Sequence, residues 1–181
     1  MDFVNAIKLI CVFLLYSSQS ECTKRVKQKS VLFVCEKTFE CQGVVIVNVF
    51  RHLAKAYGLE DVWTCDLAGV GWRFVGSGTN LRNKQYLNKL GIPYEKMYIV
   101  RKLKPDDFFK YKFIFGIDTK EMPRIRQAQP ANCTAKVASF LSYVPKNVTV
   151  TRNNCPDYHN EHLEENYQLA AVACPVLFNK H

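Results

Sequence analysis

Short apolar segments alternate with segments of helical pattern along most of this sequence, and this alternation restricts the fold more than any other feature. Residues 31–34 are all apolar and lead to Cys35, which is typical of a central strand in a parallel sheet. Further strands are predicted over 62–67, 97–100 and 111–117. Because strands and helices alternate, the sequence predicts a three-layer α/β domain, in which a central parallel sheet is flanked by helices.

Helices are predicted between these strands from apolar spacing and from end signals. One helix is expected to end at Gly58, and the next, over 80–90, at Gly91. Thr119 is expected to begin another. The closing helix has one apolar face, and Pro175 is expected to kink or end it. That face consists of residues 163, 167, 170, 174, 177 and 178.

Polar residues stand at or near the ends of three predicted strands. They are Cys35, Asp66 and Asp118. Ligands of open parallel sheets bind beyond the carboxyl ends of the strands. A single polar residue there is usually a cap, but three at one edge predict a site.

The amino terminus has the order of parts of a secretory signal peptide. Lys8 precedes a short apolar stretch, which small and polar residues follow as far as Ser20. The stretch is too short to cross a bilayer, and a buried helix is the alternative. We therefore expect a signal peptide over 1–20, a basic leader over 21–30 and one domain over 31–181. The mature protein is expected to be secreted, without a membrane span.

The formal net charge of +9 indicates a surface that attracts anions. Charge alone does not distinguish acidic glycans, phosphoproteins and nucleic acid. No nucleic-acid-binding module or stacking aromatic residue accompanies the basic clusters, so no specific nucleic-acid partner is expected. The C-x-x-C spacing of zinc sites is absent from the sequence, and we predict neither a metal nor a cofactor.

The sequence contains eight cysteines, of which Cys11 would leave with the signal peptide. The others are Cys22, Cys35, Cys41, Cys65, Cys133, Cys155 and Cys174. In a secreted protein some of them pair, and an odd number leaves one for an intermolecular bond, so a monomer or a disulfide-linked dimer is expected. Asn132 and Asn147 match the glycosylation pattern, which predicts a glycoprotein.

A strand ending in cysteine, a tight loop and a helix can direct backbone N–H groups and the helix dipole at a phosphate. The same field lowers the pKa of a thiol and would make Cys35 a nucleophile. Here the sequence resembles the low-molecular-weight protein tyrosine phosphatases, whose signature is a strand, Cys, five residues, Arg and then Ser or Thr. The resemblance implies a phosphotyrosine protein phosphatase I-like fold. Its matching segments are 31–35, 49–51, 66–68, 71–72, 91–93, 106–108 and Asp118.

The loop after Cys35 departs from the family's signature. Alignment backward from 49–51 puts Cys41 on the family's second cysteine and Gln42 on its arginine, with one extra residue in the loop. Alignment forward from Cys35 puts Cys41 itself where the arginine belongs. The arginine is missing in both alignments. By analogy with other phosphoryl-transfer arginines, its loss costs about 10³–10⁵ in rate.

The residues within this loop also alter its charge. Glu36 and Glu40 oppose both phosphate binding and thiolate formation, because like charges repel. Lys37 offsets them in part, as a point charge without the bidentate fork of arginine. We take Lys37, Thr38 and Cys41 as candidate ligand-binding residues.

The resemblance also implies a general acid near the carboxyl terminus. The family's acid lies in an Asp-Pro-Tyr-Tyr loop, and the matching stretch begins at Cys155, which therefore occupies the acid's position. Asp157 is a candidate displaced acid, but it would need a shifted loop. Proton transfer by such an acid contributes about 10²–10⁴ in rate. Trp72 and Tyr158 fall where the family lines its cleft, with core packing as the alternative for Trp72.

Cys35 has a second interpretation, as a buried or disulfide-bonded cysteine. The family's equivalent pair can bond under oxidation, so the resemblance implies a Cys35–Cys41 disulfide. A link from Cys155 to Cys35 or Cys41 is the alternative.

Three functions are compatible with these features. The first is a secreted pseudophosphatase, which binds an extracellular protein or an anionic ligand through the degenerate cleft without turnover. The second is an active tyrosine phosphatase or another phosphomonoester hydrolase, using a Cys35 thiolate, Lys37 and Asp157. The third is an interaction protein that acts through its charge alone.

Overall fold

A computed structural model describes residues 28–35, 42–71, 81–94, 101–150 and 160–181, with the side chains of 42 and 160–162 excepted. In these residues four strands form one sheet, in the order β2-β1-β3-β4, and every pair is parallel. The predicted central parallel sheet is therefore confirmed. The strands are β1 (Lys29–Cys35), β2 (Trp63–Gly69), β3 (Phe113–Gly116) and β4 (Lys136–Ser139).

Helices connect and cover these strands. The α-helices of the described ranges are α1 (Gln42–Ala56), α2 (Leu81–Lys89), α3 (Asp107–Lys110), α4 (Met122–Ala128) and α5 (Asn160–Lys180). Two short 3₁₀ helices, Thr119–Glu121 and Phe140–Tyr143, follow β3 and β4.

The helices form a layer on each face of the sheet, as predicted. On one face, Phe33 of β1 shares a core with Phe50 of α1 and Leu177 of α5. On the other face, Leu32 packs in a second core with Ile125 of α4. Neighbouring residues of β1 therefore enter opposite cores, which explains why the strand reads as one continuous apolar run.

The predicted ends of the elements are confirmed in part. Gly58 and Gly91 have φ values of +65° and +69°, the left-handed conformation that favours glycine, and each follows the end of a helix. Thr119 begins a helical segment, as predicted. Pro175 does not end α5, which continues to Lys180. The surrounding residues of α5 are buried, and this packing outweighs the hydrogen bond that proline cannot make.

Other predictions of the chain's organisation lie largely outside the described residues. This holds for the signal peptide, most of the leader and the strand predicted over 97–100. β1 begins at Lys29, so the sheet includes the last two residues of the predicted leader. In the part of the chain that is described, no helix is long and apolar enough to cross a membrane.

Candidate functional site

Cys35 is the last residue of β1, at the carboxyl edge of the sheet, as predicted. It is 2% exposed, and its sulfur lies 3.8 Å from the carbonyl oxygen of Ala68. The Val70 N–H donates to the Cys35 carbonyl at 3.0 Å, and the Ile117 N–H donates to the Val34 carbonyl at 3.0 Å. Backbone on both sides therefore fixes the position of Cys35.

The start of α1 lies close to this end of β1. The helix begins at Gln42, which the alignment backward from 49–51 puts on the family's arginine, whereas the alignment forward from Cys35 puts Cys41 there. Its next residue, Gly43, packs so closely on β2 that a Cβ built there would overlap Cδ1 of Leu67. Leu67 adjoins Ala68, whose carbonyl lies near the Cys35 sulfur. The strand and helix of the predicted phosphate-binding arrangement are thus in place, with glutamine at the helix start.

Asp118 follows β3, but its side chain acts as a helix cap. Its carboxylate accepts the Thr119 N–H at 2.6 Å, and the Glu121 carboxylate accepts the Asp118 N–H at 2.7 Å. The Asp118 carboxylate also accepts from the backbone N–H of Glu121, and this reciprocal pair of bonds between Asp118 and Glu121 is a capping box. The Asp118 carboxylate therefore serves to cap the helix that follows it.

Asp66 does not lie at a strand end, so the predicted convergence of three polar residues is wrong. β2 continues to Gly69, beyond the apolar pattern that indicated an end near 67. Asp66 pairs in register with Leu32, which packs in the second core, whereas Cys35 belongs to the first. The two side chains therefore lie on opposite faces of the sheet.

Asp66 instead belongs to a polar cluster around Arg101. The Arg101 guanidinium lies 2.9 Å from the Asp107 carboxylate and 3.6 Å from that of Asp66. It also donates to the Tyr111 hydroxyl at 3.3 Å, and this hydroxyl donates to Asp66 at 2.9 Å. The Lys104 N–H donates to Asp107 at 2.8 Å. Asp107, which is buried, thus has two donors for its charge.

This cluster shifts the pKa values of two of its members. Burial lowers the pKa of Arg101, but Asp107, Asp66 and Tyr111 together raise it above its ordinary value. Burial, with the charge and hydrogen bond of Asp66, raises the pKa of Tyr111 to about 12. Both shifts favour the protonated forms that the hydrogen bonds require.

The cluster holds a segment of backbone next to Cys35. The Gly69 N–H donates to the Arg101 carbonyl at 2.9 Å, and the Leu103 N–H donates to the Gly69 carbonyl at 2.8 Å. Gly69 pairs in register with Cys35. Arg101 was not among the residues predicted for the site. Asp107 lies close to Arg101 in the sequence, but Asp66 lies far from both. Only the topology brings the three side chains together.

A surface cavity of about 300 Å³ adjoins the same end of β2. Its lining includes Val70, whose N–H donates to the Cys35 carbonyl, and two basic side chains, Lys102 and Arg124. Its lining residues are Val70, Lys102, Leu103, Arg124, Gln127 and Ala128. Val70 and Leu103 pack in the second core, whereas the Cys35 side chain belongs to the first, so these two cations lie beside the carboxyl end of β2 on the other face of the sheet from the Cys35 sulfur.

Most of the other predicted site residues lie outside the described residues. They are Lys37, Thr38, Cys41, Trp72, Cys155, Asp157 and Tyr158. The loop, the acid position and the cleft wall therefore stay predictions, as do the disulfides that involve Cys41 and Cys155.

The remaining cysteines and acceptor asparagines lie away from this edge or at the surface. Cys133 and Cys174 carry free thiols, and burial, with Cys65 nearby, raises the pKa of Cys174. Asn132 and Asn147 are both exposed in turns, and their glycosylation stays a prediction. No group of His, Cys, Asp or Glu within the described ranges could hold a metal ion.

Comparisons with known proteins agree with this geometry. The family model described as low molecular weight phosphotyrosine protein phosphatase matches residues 30–178. The phosphatase of that name from Rattus norvegicus is 28% identical over 158 residues, 86% of this chain and 97% of the relative. The one from Schizosaccharomyces pombe is 32% identical over 124 residues, 68% of this chain and 78% of the relative.

Solved structures show the same fold. A protein tyrosine phosphatase from Entamoeba histolytica superposes with a TM-score of 0.75 at 19% identity, covering 84% of this chain and 96% of that one. YfkJ from Bacillus subtilis superposes with a TM-score of 0.73 at 25% identity, covering 86% and 96%.

Proposed function

This chain belongs to the low molecular weight phosphotyrosine protein phosphatase family, and from that premise we propose that it is a secreted pseudophosphatase. It binds an extracellular protein or an anionic ligand through the degenerate cleft and does not turn it over. The observation that supports this most is that α1 begins at Gln42, so that the residue aligned with the family's arginine is Gln42 or, in the forward alignment, Cys41.

The chemistry at the helix start supports this proposal. Glutamine offers one amide, whereas arginine offers a charged planar fork that matches phosphate oxygens. Phosphoryl transfer depends on stabilising charge that develops on those oxygens, so a neutral amide removes most of the effect. The acid position at Cys155 is altered as well, although effects of residues that act as a unit do not multiply.

Two observations support anion binding in the absence of catalysis. Lys102 and Arg124 line the cavity beside the Cys35 end of β2, and the backbone around Cys35 is held by the sheet and by the Arg101 cluster. Binding needs charge of the right sign near the ligand. Turnover also needs a nucleophile, an arginine that holds the phosphate and a general acid in the correct relative positions.

The first experiment measures phosphatase activity of the full chain on an aryl phosphate, between about pH 5 and 8, with and without a reductant. Cys35→Ser is the test variant, and Cys133→Ser is the matched control, because Cys133 carries a free thiol away from the sheet edge. The expected result is the same background rate for all three proteins. Turnover that Cys35→Ser abolishes and Cys133→Ser retains would establish an active phosphatase with a Cys35 thiolate and refute the proposal. Activity that appears only with reductant would identify a disulfide-locked enzyme.

A second experiment tests binding with phosphotyrosine as the probe. Lys102→Gln is expected to weaken binding several-fold, because it removes a cation from the cavity beside the carboxyl end of β2. Lys84→Gln is the control, since Lys84 is an exposed lysine of α2 and does not line that cavity. Equal effects of the two substitutions would show that only the net charge matters, as in the interaction protein that acts through charge alone.

Secretion has its own test, which is independent of the cleft. Expression of the full chain in a secretory cell is expected to yield mature protein in the medium that begins near Glu21, because the first twenty residues have the pattern of a signal peptide. Intracellular protein that retains its first residues would refute this part of the proposal.

A further inference from the structure

Basic side chains gather at the edge of the sheet opposite to Cys35. Lys29 begins β1, Lys136 begins β4, and Lys112 immediately precedes β3. The Lys112 N–H donates to the Ser30 carbonyl at 3.0 Å, and the Lys136 N–H donates to the Lys112 carbonyl at 2.9 Å. Because neighbouring strands lie about 4.8 Å apart, these three lysines span roughly 10 Å of one edge.

The carboxyl end of α5 adds two more groups to this edge. Lys180 is the last residue of the helix, and His181 follows it. The His181 ring lies 4.9 Å from the Phe113 ring, and its Nε2 lies 3.1 Å from the Tyr143 hydroxyl. We call Lys29, Lys112, Lys136, Lys180 and His181 the basal lysine patch.

Buried aromatic rings form the floor of the basal lysine patch. The amines of Lys29, Lys112 and Lys180 lie 5.1, 5.8 and 5.7 Å from the centroids of these rings. Their rings belong to Trp63, Phe113 and Tyr143, which are 3%, 2% and 3% exposed. The lysine stems therefore rest on a fixed surface.

The charge of the patch is not held in ion pairs within the described ranges. Among the residues that the structure describes, no ion pair joins any of its four lysines to a carboxylate. Glu60 and Asp61 precede β2, the strand that neighbours β1. Burial lowers the pKa of His181 most, and the charges of the four lysines lower it further. All four charges therefore act on the same imidazole ring.

We propose that the basal lysine patch binds a sulfated polysaccharide chain of the heparin type. Lysine ammonium groups are compact point charges, and they contact sulfate oxygens without the planar fork that arginine offers to phosphates. The aromatic rings beneath them are buried, so they offer no stacking platform for the bases of a single-stranded nucleic acid. They also offer no apolar side chain that could insert into a lipid surface. The patch therefore recognises a ligand by its line of charge. This inference does not use the cleft, but it rests on the proposed secretion, because polysaccharides of this type lie outside cells.

The test measures binding of the full chain to a labelled short heparin oligosaccharide by fluorescence anisotropy, as a function of salt. The patch variant carries three lysine-to-glutamine substitutions, at Lys112, Lys136 and Lys180. The control variant carries three at exposed lysines elsewhere, Lys84, Lys89 and Lys146. The two variants have the same net charge, and equal melting temperatures would show that both are folded.

The patch variant is expected to bind at least about tenfold more weakly near physiological salt. By analogy with counterion release from nucleic acids, its salt dependence should fall by about two to three in slope. The control variant should stay within about twofold of the original protein.

Three results would overturn the proposal. The first is the absence of heparin binding near physiological salt, and the second is an equal loss of heparin binding in the two variants. The third is that the patch variant loses binding to duplex DNA or to phosphatidylserine vesicles but not to heparin. The last result would assign the patch to nucleic acid or to an anionic membrane.

Discussion

Replacing Arg101 with methionine tests whether the cluster beside Cys35 is a structural requirement. The substitution keeps much of the side chain's apolar length and removes its charge. It leaves the buried Asp107 with only the Lys104 N–H as a described donor, and it leaves Asp66 with the Tyr111 hydroxyl. An unpaired carboxylate then remains in a mostly dry position.

The magnitude follows from the exposure of the two carboxylates. Removing one partner of a fully buried ion pair costs about 3–5 kcal/mol, whereas an exposed pair contributes at most about 1 kcal/mol. The Asp107 side chain is 8% exposed and that of Asp66 is 35% exposed, so the Asp107 pair dominates. Because Arg101 is 30% exposed and Asp107 keeps one donor, we expect a loss of about 3 kcal/mol in the free energy of unfolding. That corresponds to a fall of roughly 6–12 °C in melting temperature.

Urea unfolding of the purified protein measures this loss, with Arg126→Met as the matched control. Arg126 is an exposed arginine of α4, and its replacement should cost less than about 0.5 kcal/mol. In the double variant with Asp107→Asn the uncompensated charge is gone, so it should be more stable than the sum of the single effects by about 1–2 kcal/mol. If Arg101→Met costs no more than Arg126→Met, then water already solvates Asp107 and the reasoning is wrong.

Three further predictions concern other parts of the fold. Gly43→Ala places a methyl group against Leu67, so it should lower the free energy of unfolding by about 1–3 kcal/mol in urea unfolding, and an unchanged midpoint would contradict the close packing of α1. The raised pKa of Tyr111 means that its contribution to stability is complete below about pH 10 and declines as the pH rises towards 12. Tyr111→Phe should therefore destabilise the protein most at neutral pH, and a deficit that grows between these pH values would contradict this sign. The lowered pKa of His181 means that stability falls as the pH drops below about 6.5, because the unfolded chain then binds the proton more readily. In Lys136→Gln the His181 pKa measured by NMR should rise, and an unchanged value would show that this charge does not reach the ring.

The sequence predicted only those parts of the site that lie within one continuous segment. Cys35 at a strand end and Gln42 at a helix start follow from one apolar run and from local alignment. Asp66 could not be placed correctly, because the end of β2 is set by its pairing with β1 through Gly69 and not by its own apolar residues. β4 was not predicted, since four residues of mixed burial form a strand only when β3 offers its edge.

The sequence by itself determined the class of fold and the family, because both depend on residue order along single elements. Periodicity places a residue on a strand or a helix, and alignment identifies what stands at a given position. Only the tertiary structure decided which distant charges meet. It paired Arg101 with Asp66 and Asp107 beside Cys35, and it gathered the lysines that begin separate strands around His181 at the opposite edge. The physical reason is that parallel strands bring residues far apart in sequence to a common edge, and that arrangement is set by the packing of both helix layers rather than by any local pattern.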